Sequence, residues 1–152
     1  PAYKGISLSI SAAVALSKNG LNVPFFFNRK EVKDHGEGGT FVGYVPQAGE
    51  EIVIIEDVIT AGTSVNETMQ ALSNIENAEV IGLLISVDRR ERLENGKSAL
   101  QTVQEEYGIE AHSIININDI IAFLEKEENR IAIKAPEGIL ERVYQYRKEW
   151  GC

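Results

Sequence analysis

The residues best suited to chemistry lie in one segment, Ile52-Val53-Ile54-Ile55-Glu56-Asp57-Val58-Ile59-Thr60-Ala61-Gly62-Thr63-Ser64. The β-branched run Ile52 to Ile55 predicts a strand buried on both faces. Two adjacent carboxylates, Glu56 and Asp57, stand at its end, and the C-terminal edge of a parallel sheet is where open α/β folds bind ligands. Glu56 to Gly62 reads as a tight turn of small and hydroxyl residues. Thr63 or Ser64 can cap the helix expected to run on to about Ile75. Backbone N–H groups in a first helical turn lack intrahelical partners and carry the positive end of the helix dipole, which suits a phosphate. Gly62 allows close backbone approach, and Thr60, Thr63 and Ser64 add hydroxyl donors. The two acids cannot bind phosphate, but they suit the vicinal hydroxyls of a sugar or a cation carried by the ligand. The segment therefore asks for a phosphate with a diol beside it, which describes a ribose 5-phosphate. A plain capped strand–turn–helix with two solvated acids is the alternative, and the coincidence of four features weighs against it.

A second group lies in Asn28-Arg29-Lys30-Glu31-Val32-Lys33-Asp34-His35-Gly36-Glu37-Gly38-Gly39-Thr40. Its three basic and three acidic residues balance, so charge alone describes a solvated surface loop. Yet Arg29, Lys30, Lys33 and His35 form a dense set of N–H donors, and Gly36, Gly38 and Gly39 supply hinges. A loop that folds over an anionic leaving group needs both. Two smaller pieces add to these. In Tyr3-Lys4-Gly5-Ile6, Lys4 places a cation beside a helix start. Asp88-Arg89 leaves the strand expected over Val80 to Val87, again at the ligand edge, where a guanidinium can take a carboxylate bidentately.

The Ile52–Ser64 segment resembles the phosphoribosyl diphosphate (PRPP) binding motif of type I phosphoribosyltransferases: four apolar residues, two acids, four apolar or hydroxyl residues, glycine, then hydroxyls. It is not a Walker loop, because no Gly-Lys-Thr/Ser follows. The Asn28–Thr40 loop, with its Lys33-Asp34-His35-Gly36-Glu37-Gly38-Gly39 stretch, resembles the catalytic loop of the orotate branch more than that of the purine-specific enzymes. The chain is similar to that branch from Tyr3 to its C-terminal helix. The resemblance implies PRPP contacts at Tyr3, Lys4, Arg29, Lys30, Lys33, His35 and Glu56, Asp57, Val58, Ile59, Thr60, Ala61, Gly62, Thr63 and Ser64. It implies catalytic roles for Lys33, His35 and Asp57, and orotate contacts at Thr60 and Arg89.

The reaction so implied joins orotate and PRPP to give orotidine 5′-phosphate and diphosphate, in UMP biosynthesis. Mg²⁺ would arrive with PRPP rather than in a protein-built site. The C1–O bond would break with oxocarbenium-like character and without a covalent enzyme intermediate, so neutralising the leaving diphosphate and excluding water would carry catalysis. The resemblance also implies a homodimer in which the basic loop reaches the neighbouring subunit's site. The family carries a further N-terminal segment, a small hood over the base site, ahead of the Tyr-Lys-Gly piece; it is missing from this chain, which starts at Pro1, so an incomplete site is expected. Two other functions fit the same motifs: a regulatory domain that senses PRPP or a nucleotide without turnover, and a purine phosphoribosyltransferase.

These groups must be held by a scaffold, and the chain has the material for one. It has 152 residues, 43% hydrophobic and 25% charged, which fits a single domain able to bury its own core. Short apolar runs alternate with amphipathic segments, which predicts an α/β fold with a doubly wound, mostly parallel sheet flanked by helices. Helices are expected over Ile6 to Lys18, Lys97 to Tyr107, Ile117 to Lys126 (capped by Asn116 or Asn118) and Pro136 to Trp150. Further strands are expected over Val23 to Phe27, Phe41 to Val45 and Ala111 to Ile115. Arg90 and Arg92 read as exposed charges, His112 as structural or exposed, and Tyr144, Tyr146 and Trp150 as packing residues.

Other classes fit poorly. With Lys+Arg 15 against Asp+Glu 23 the net charge is −8, which disfavours duplex nucleic acid and anionic membrane surfaces. No run approaches the ~18 apolar residues of a membrane span. The one cysteine, Cys152, allows no intrachain disulfide, in keeping with a reducing, cytoplasmic setting. No Cys/His cluster suggests zinc, and no Gly-x-Ser-x-Gly or Cys–His pair suggests acyl transfer.

Overall fold

A computed structural model of the chain describes residues 1–29, 41–60, 62–76 and 78–152. The order is α1 (Lys4–Lys18), β1 (Phe26–Asn28), β2 (Phe41–Gly43), β3 (Glu51–Val58), α2 (Thr63–Leu72), β4 (Glu79–Asp88), α3 (Ala99–Tyr107), β5 (Glu110–Asn116), α4 (Ile117–Glu125), α5 (Glu127–Ala132) and α6 (Ile139–Trp150). The strands β3, β4 and β5 lie side by side in chain order and run parallel. Each parallel step needs a crossover, which α2 and α3 supply. This is the α/β architecture expected from the alternation of apolar runs and amphipathic segments.

The core forms where one face of the sheet meets α2 and α3. Ile52 and Ile54 of β3, Leu83 and Ile85 of β4 and Ala111 of β5 pack with Val65 and Leu72 of α2 and Leu100 and Val103 of α3. The expected burial of β3 on both faces does not hold: burial alternates along the strand, and Val53 is 52% exposed. Alternate strand residues point to opposite faces, so only the Ile52–Ile54 face reaches the core. A separate apolar group, Ile117, Ile121 and Leu124, seats α4.

Side-chain caps fix two helix starts. Ser98 caps α3 in a capping box with Gln101, and Asn116 caps α4 in one with Asp119. The last helix begins at Ile139 rather than Pro136, after Gly138 in a left-handed conformation. The short α5 was not expected from sequence; it has no buried residue and so leaves no apolar period to read. Trp150, expected to pack, is 54% exposed.

The expected strands at Val23 to Phe27 and Phe41 to Val45 are shorter and form their own antiparallel ladder, Phe26 with Gly43 and Asn28 with Phe41. Phe26 and Phe41 meet edge to face with ring centroids 5.3 Å apart. This ladder brings together the two ends of the basic segment. The Asn28 side chain also accepts a hydrogen bond from the Ala2 amide at 2.9 Å, which ties that ladder to the start of α1.

Candidate active site

Three parallel strands finish at one edge. Val58 pairs with Val87, Val87 with Ile115 and Asp88 with Asn116. Thr60 and Arg89 each follow two residues behind the paired Val58 and Val87, so both emerge from neighbouring strands at the same end of the sheet.

Glu56 and Asp57 lie inside β3 rather than in a turn after it, because the strand runs on to Val58. Their side chains therefore leave on opposite faces. Glu56 continues the Ile52–Ile54 face and is only 6% exposed. Its Oε1 accepts from the Asp57 amide at 3.0 Å. Burial pushes its carboxyl above the ordinary glutamate range, against that hydrogen bond. Asp57 is more open, and its Oδ2 accepts from Lys4 Nζ at 2.6 Å. Burial acts against its charge, but hydrogen bonds from Lys4 and the Val58 amide outweigh it and hold Asp57 below the ordinary aspartate range. Lys4 in turn is raised by its bond to Asp57. The two acids thus differ in kind: Asp57 is a partly exposed group paired with Lys4, and Glu56 is a buried one on the opposite face of the strand.

The turn after β3 ends at Gly62, whose φ of +76° places it in the left-handed region. Gly62 itself occupies the cap position of α2, without a side-chain cap. Thr63 and Ser64, expected as caps, are instead the first helical residues. The amides of this first turn therefore have no capping side chain in front of them, the arrangement an anion needs. A Cβ on Gly62 would meet Val103 Cγ2 at 3.5 Å, so α3 backs the loop from below. Ile59 is buried, Val58 half-buried, and Thr60 and Thr63 are exposed. Ala61 lies outside the described residues.

Of the basic segment, Arg29 is described, and Lys30, Lys33 and His35 lie outside the described residues. Arg29 and Ser64 line one cavity of about 410 Å³, with Pro1, Ala2, Asn28, Glu67 and Ala71. Arg29 Nε is buried there with no acceptor among the described residues. Tyr3 is exposed beside Lys4 at the head of α1. Gly5 is required at its place: a Cβ would fall 2.6 Å from the Ile55 carbonyl oxygen, so glycine lets the first turn of α1 close onto β3 and deliver Lys4 to Asp57.

At the end of β4, the Asp88 side chain is engaged by the backbone that follows it. Its Oδ1 accepts from the Arg90 amide at 2.9 Å and holds Arg90 at a φ of 51°. Arg89 Nη2 donates to Glu91 Oε2 at 2.9 Å, and Tyr146 of α6 donates its hydroxyl to Glu91 Oε1. Sequence reasoning did not find Glu91 or this role for Tyr146. The two are 55 residues apart, and nothing local in the sequence marks a contact at that range. His112, read as structural or exposed, is exposed beside Glu110.

No group of three or more His, Cys, Asp or Glu side chains converges among the described residues. No described helix is long and apolar enough to cross a membrane.

The comparisons with known proteins agree with this geometry. Residues 1–131 match the family model of the phosphoribosyl transferase domain. The chain is 42% identical over 152 residues to the orotate phosphoribosyltransferase of Clostridium acetobutylicum, spanning 99% of this chain and 68% of that one. It is 45% identical over 151 residues to the enzyme of the same name from Thiobacillus denitrificans, spanning 99% of this chain and 67% of that one. Among solved structures, the orotate phosphoribosyltransferase of Francisella tularensis superposes with a TM-score of 0.77 at 29% identity, covering all of this chain and 68% of that one. The UMP synthase of Leishmania donovani shares the fold, with a TM-score of 0.62 at 16% identity over 93% of this chain and 26% of that one. By the family model and by these relatives, and with an acid paired to a lysine ahead of an uncapped helix start at the edge of its parallel sheet, the chain belongs to the orotate phosphoribosyltransferase family.

Proposed function

We propose that the protein transfers the 5-phosphoribosyl group of PRPP to orotate, giving orotidine 5′-phosphate and diphosphate. The observation that carries the assignment of roles is the Asp57–Lys4 pair at 2.6 Å, at the end of β3 ahead of the turn that opens α2. Asp57 holds the ribose hydroxyls and orients C1 toward the nucleophilic nitrogen of orotate. The amides and hydroxyls from Thr60 to Ser64 take the 5-phosphate. Lys4, released from Asp57, and Arg29 neutralise the departing diphosphate as the C1–O bond lengthens. Lys30, Lys33 and His35 join them, with Lys33 and His35 serving the leaving group. Thr60 and Arg89 hold orotate, Arg89 through its carboxylate.

Mg²⁺ fits as part of the substrate complex. Asp57 is a single accessible carboxylate with one oxygen engaged by Lys4, and Mg²⁺ characteristically takes one or two carboxylates plus substrate phosphates rather than a full protein cage. Bound there it would add positive charge against the diphosphate. A homodimer, with the basic loop serving the neighbouring subunit, belongs to the same reading.

A substrate screen of the native protein tests this, with PRPP and Mg²⁺ offered together with orotate, adenine or hypoxanthine. The expected result is diphosphate release with orotate alone. Release with a purine base instead, or PRPP binding without release in any arm, overturns the assignment.

A further inference from the structure

Arg89 is held in place from the far end of the chain. Its guanidinium meets Glu91, two residues on, through Nη2 and Oε2 at 2.9 Å. The other oxygen of Glu91 accepts the hydroxyl of Tyr146, from the face of α6. Burial, and then this bond, push the Tyr146 phenol above its ordinary range, so it stays a protonated donor. Backbone contacts fix the two segments around this bridge: the Arg92 amide donates to the Trp150 carbonyl at 2.6 Å, and the Cys152 amide to the Arg90 carbonyl at 2.9 Å. Glu91 itself pairs in an isolated bridge with Gly151. The residues that follow β4 are thus clamped by the end of α6.

The clamp leaves part of the guanidinium unused. Arg89 Nε is buried and has no acceptor among the described residues. A buried N–H donor without an acceptor carries a desolvation cost that an incoming acceptor removes. A lone arginine at a sheet edge samples many rotamers, and ordering it on binding weakens affinity. Glu91 and Tyr146 order it beforehand.

We propose that Glu91 and Tyr146 are positioning residues for Arg89, a relay from α6 that fixes its guanidinium for the carboxylate of orotate. The inference rests on the reading of Arg89 as the orotate carboxylate contact. It assigns α6, which lies outside the PRPP motif, a part in recognising the base.

The test is steady-state kinetics of the full-length native protein, with orotate varied at saturating PRPP and PRPP varied at saturating orotate. Arg89→Ala should raise the KM for orotate by about a hundredfold, the loss of a charge-assisted pair. Glu91→Ala should raise it about tenfold and leave the KM for PRPP unchanged, and Glu91→Gln, which still accepts from Arg89, should recover most of that. Tyr146→Phe should raise the orotate KM about threefold. In an Arg89→Ala background neither Glu91→Ala nor Tyr146→Phe should have a further effect. Equal losses for both substrates, or additive losses in the Arg89→Ala background, overturn the relay while leaving the orotate reading intact. An unchanged orotate KM in Arg89→Ala, or no orotate turnover by the parent protein, instead overturns the reading of the site and the relay with it. If Glu91→Ala does not fold, Tyr146→Phe decides alone, because it removes one hydroxyl and no buried apolar surface; an unchanged orotate KM in that variant overturns the relay.

Discussion

Lys4 and Asp57 are 53 residues apart in the chain and 2.6 Å apart in the fold. One is delivered by the first turn of α1 and the other by the end of β3. Each keeps the other charged: Lys4 is raised by its bond to Asp57, and Asp57 is lowered by Lys4 against its partial burial. Two opposite charges thus stand together at the C-terminal edge of the sheet, where the proposed ligand carries a diol and an anion.

The pair is expected to matter for activity and little for stability, because exposed ion pairs contribute almost nothing to folding. Lys4→Ala should leave the thermal midpoint within about 2 °C of the parent while lowering kcat/KM for PRPP by roughly a hundredfold. A differential scanning experiment run beside the PRPP titration checks both halves.

Gly5 and Gly62 are expected to fail for different reasons. Gly5→Ala puts a methyl group 2.6 Å from a backbone carbonyl that cannot rotate away, so α1 must shift from β3. Overpacking of that kind costs about 1–3 kcal/mol. Gly62→Ala meets only ordinary contact with Val103, and its cost is the left-handed backbone, about 1 kcal/mol. Urea denaturation should rank Gly5→Ala as the less stable of the two. The reverse order would mean that α1 adapts and the turn at Gly62 does not.

Glu56 sets a pH dependence of the opposite sign to Asp57. Asp57, lowered in the folded state, contributes stability above the ordinary aspartate range and loses it as pH falls through its folded value. Glu56, raised by burial, binds its proton more tightly in the folded state, so its contribution falls as pH rises through the window above the ordinary glutamate value. Glu56→Gln removes that penalty. The variant should be more stable than the parent at pH 7, with the difference vanishing below about pH 4. Thermal midpoints across that pH range, with no gain at neutral pH, would show that Glu56 is not burdened by its charge.

Ser98 anchors α3, the helix behind Gly62. Its hydroxyl accepts from the Gln101 amide, and the Gln101 side chain accepts from the Ser98 amide. Ser98→Ala should cost about 1 kcal/mol, read as a lowered urea midpoint at unchanged slope.

Much of this was legible before any coordinates. Ile52 to Ile55 followed by Glu56 and Asp57 gave the strand and the site edge, because β-branched runs and paired acids are local signals. Asn116, one of two asparagines offered as the cap of the Ile117 helix, marked a helix start for the same reason. Val53 misled, since a continuous apolar run does not say which faces are covered. Thr63 and Ser64 misled too, since a left-handed Gly62 can take the cap position and leave the hydroxyl residues inside the helix. Glu91 and Tyr146 were invisible because their contact depends on how α6 folds back.

The central claim is that Asp57 orients the ribose of PRPP for transfer to orotate, and orotidine 5′-phosphate formation by the Asp57→Asn variant of the native protein tests it most directly. The account predicts orotate turnover by the parent, a loss of at least about a hundredfold in kcat/KM for PRPP in the variant, and a thermal midpoint changed by only a few degrees. A variant that forms product at the parent's rate would contradict it.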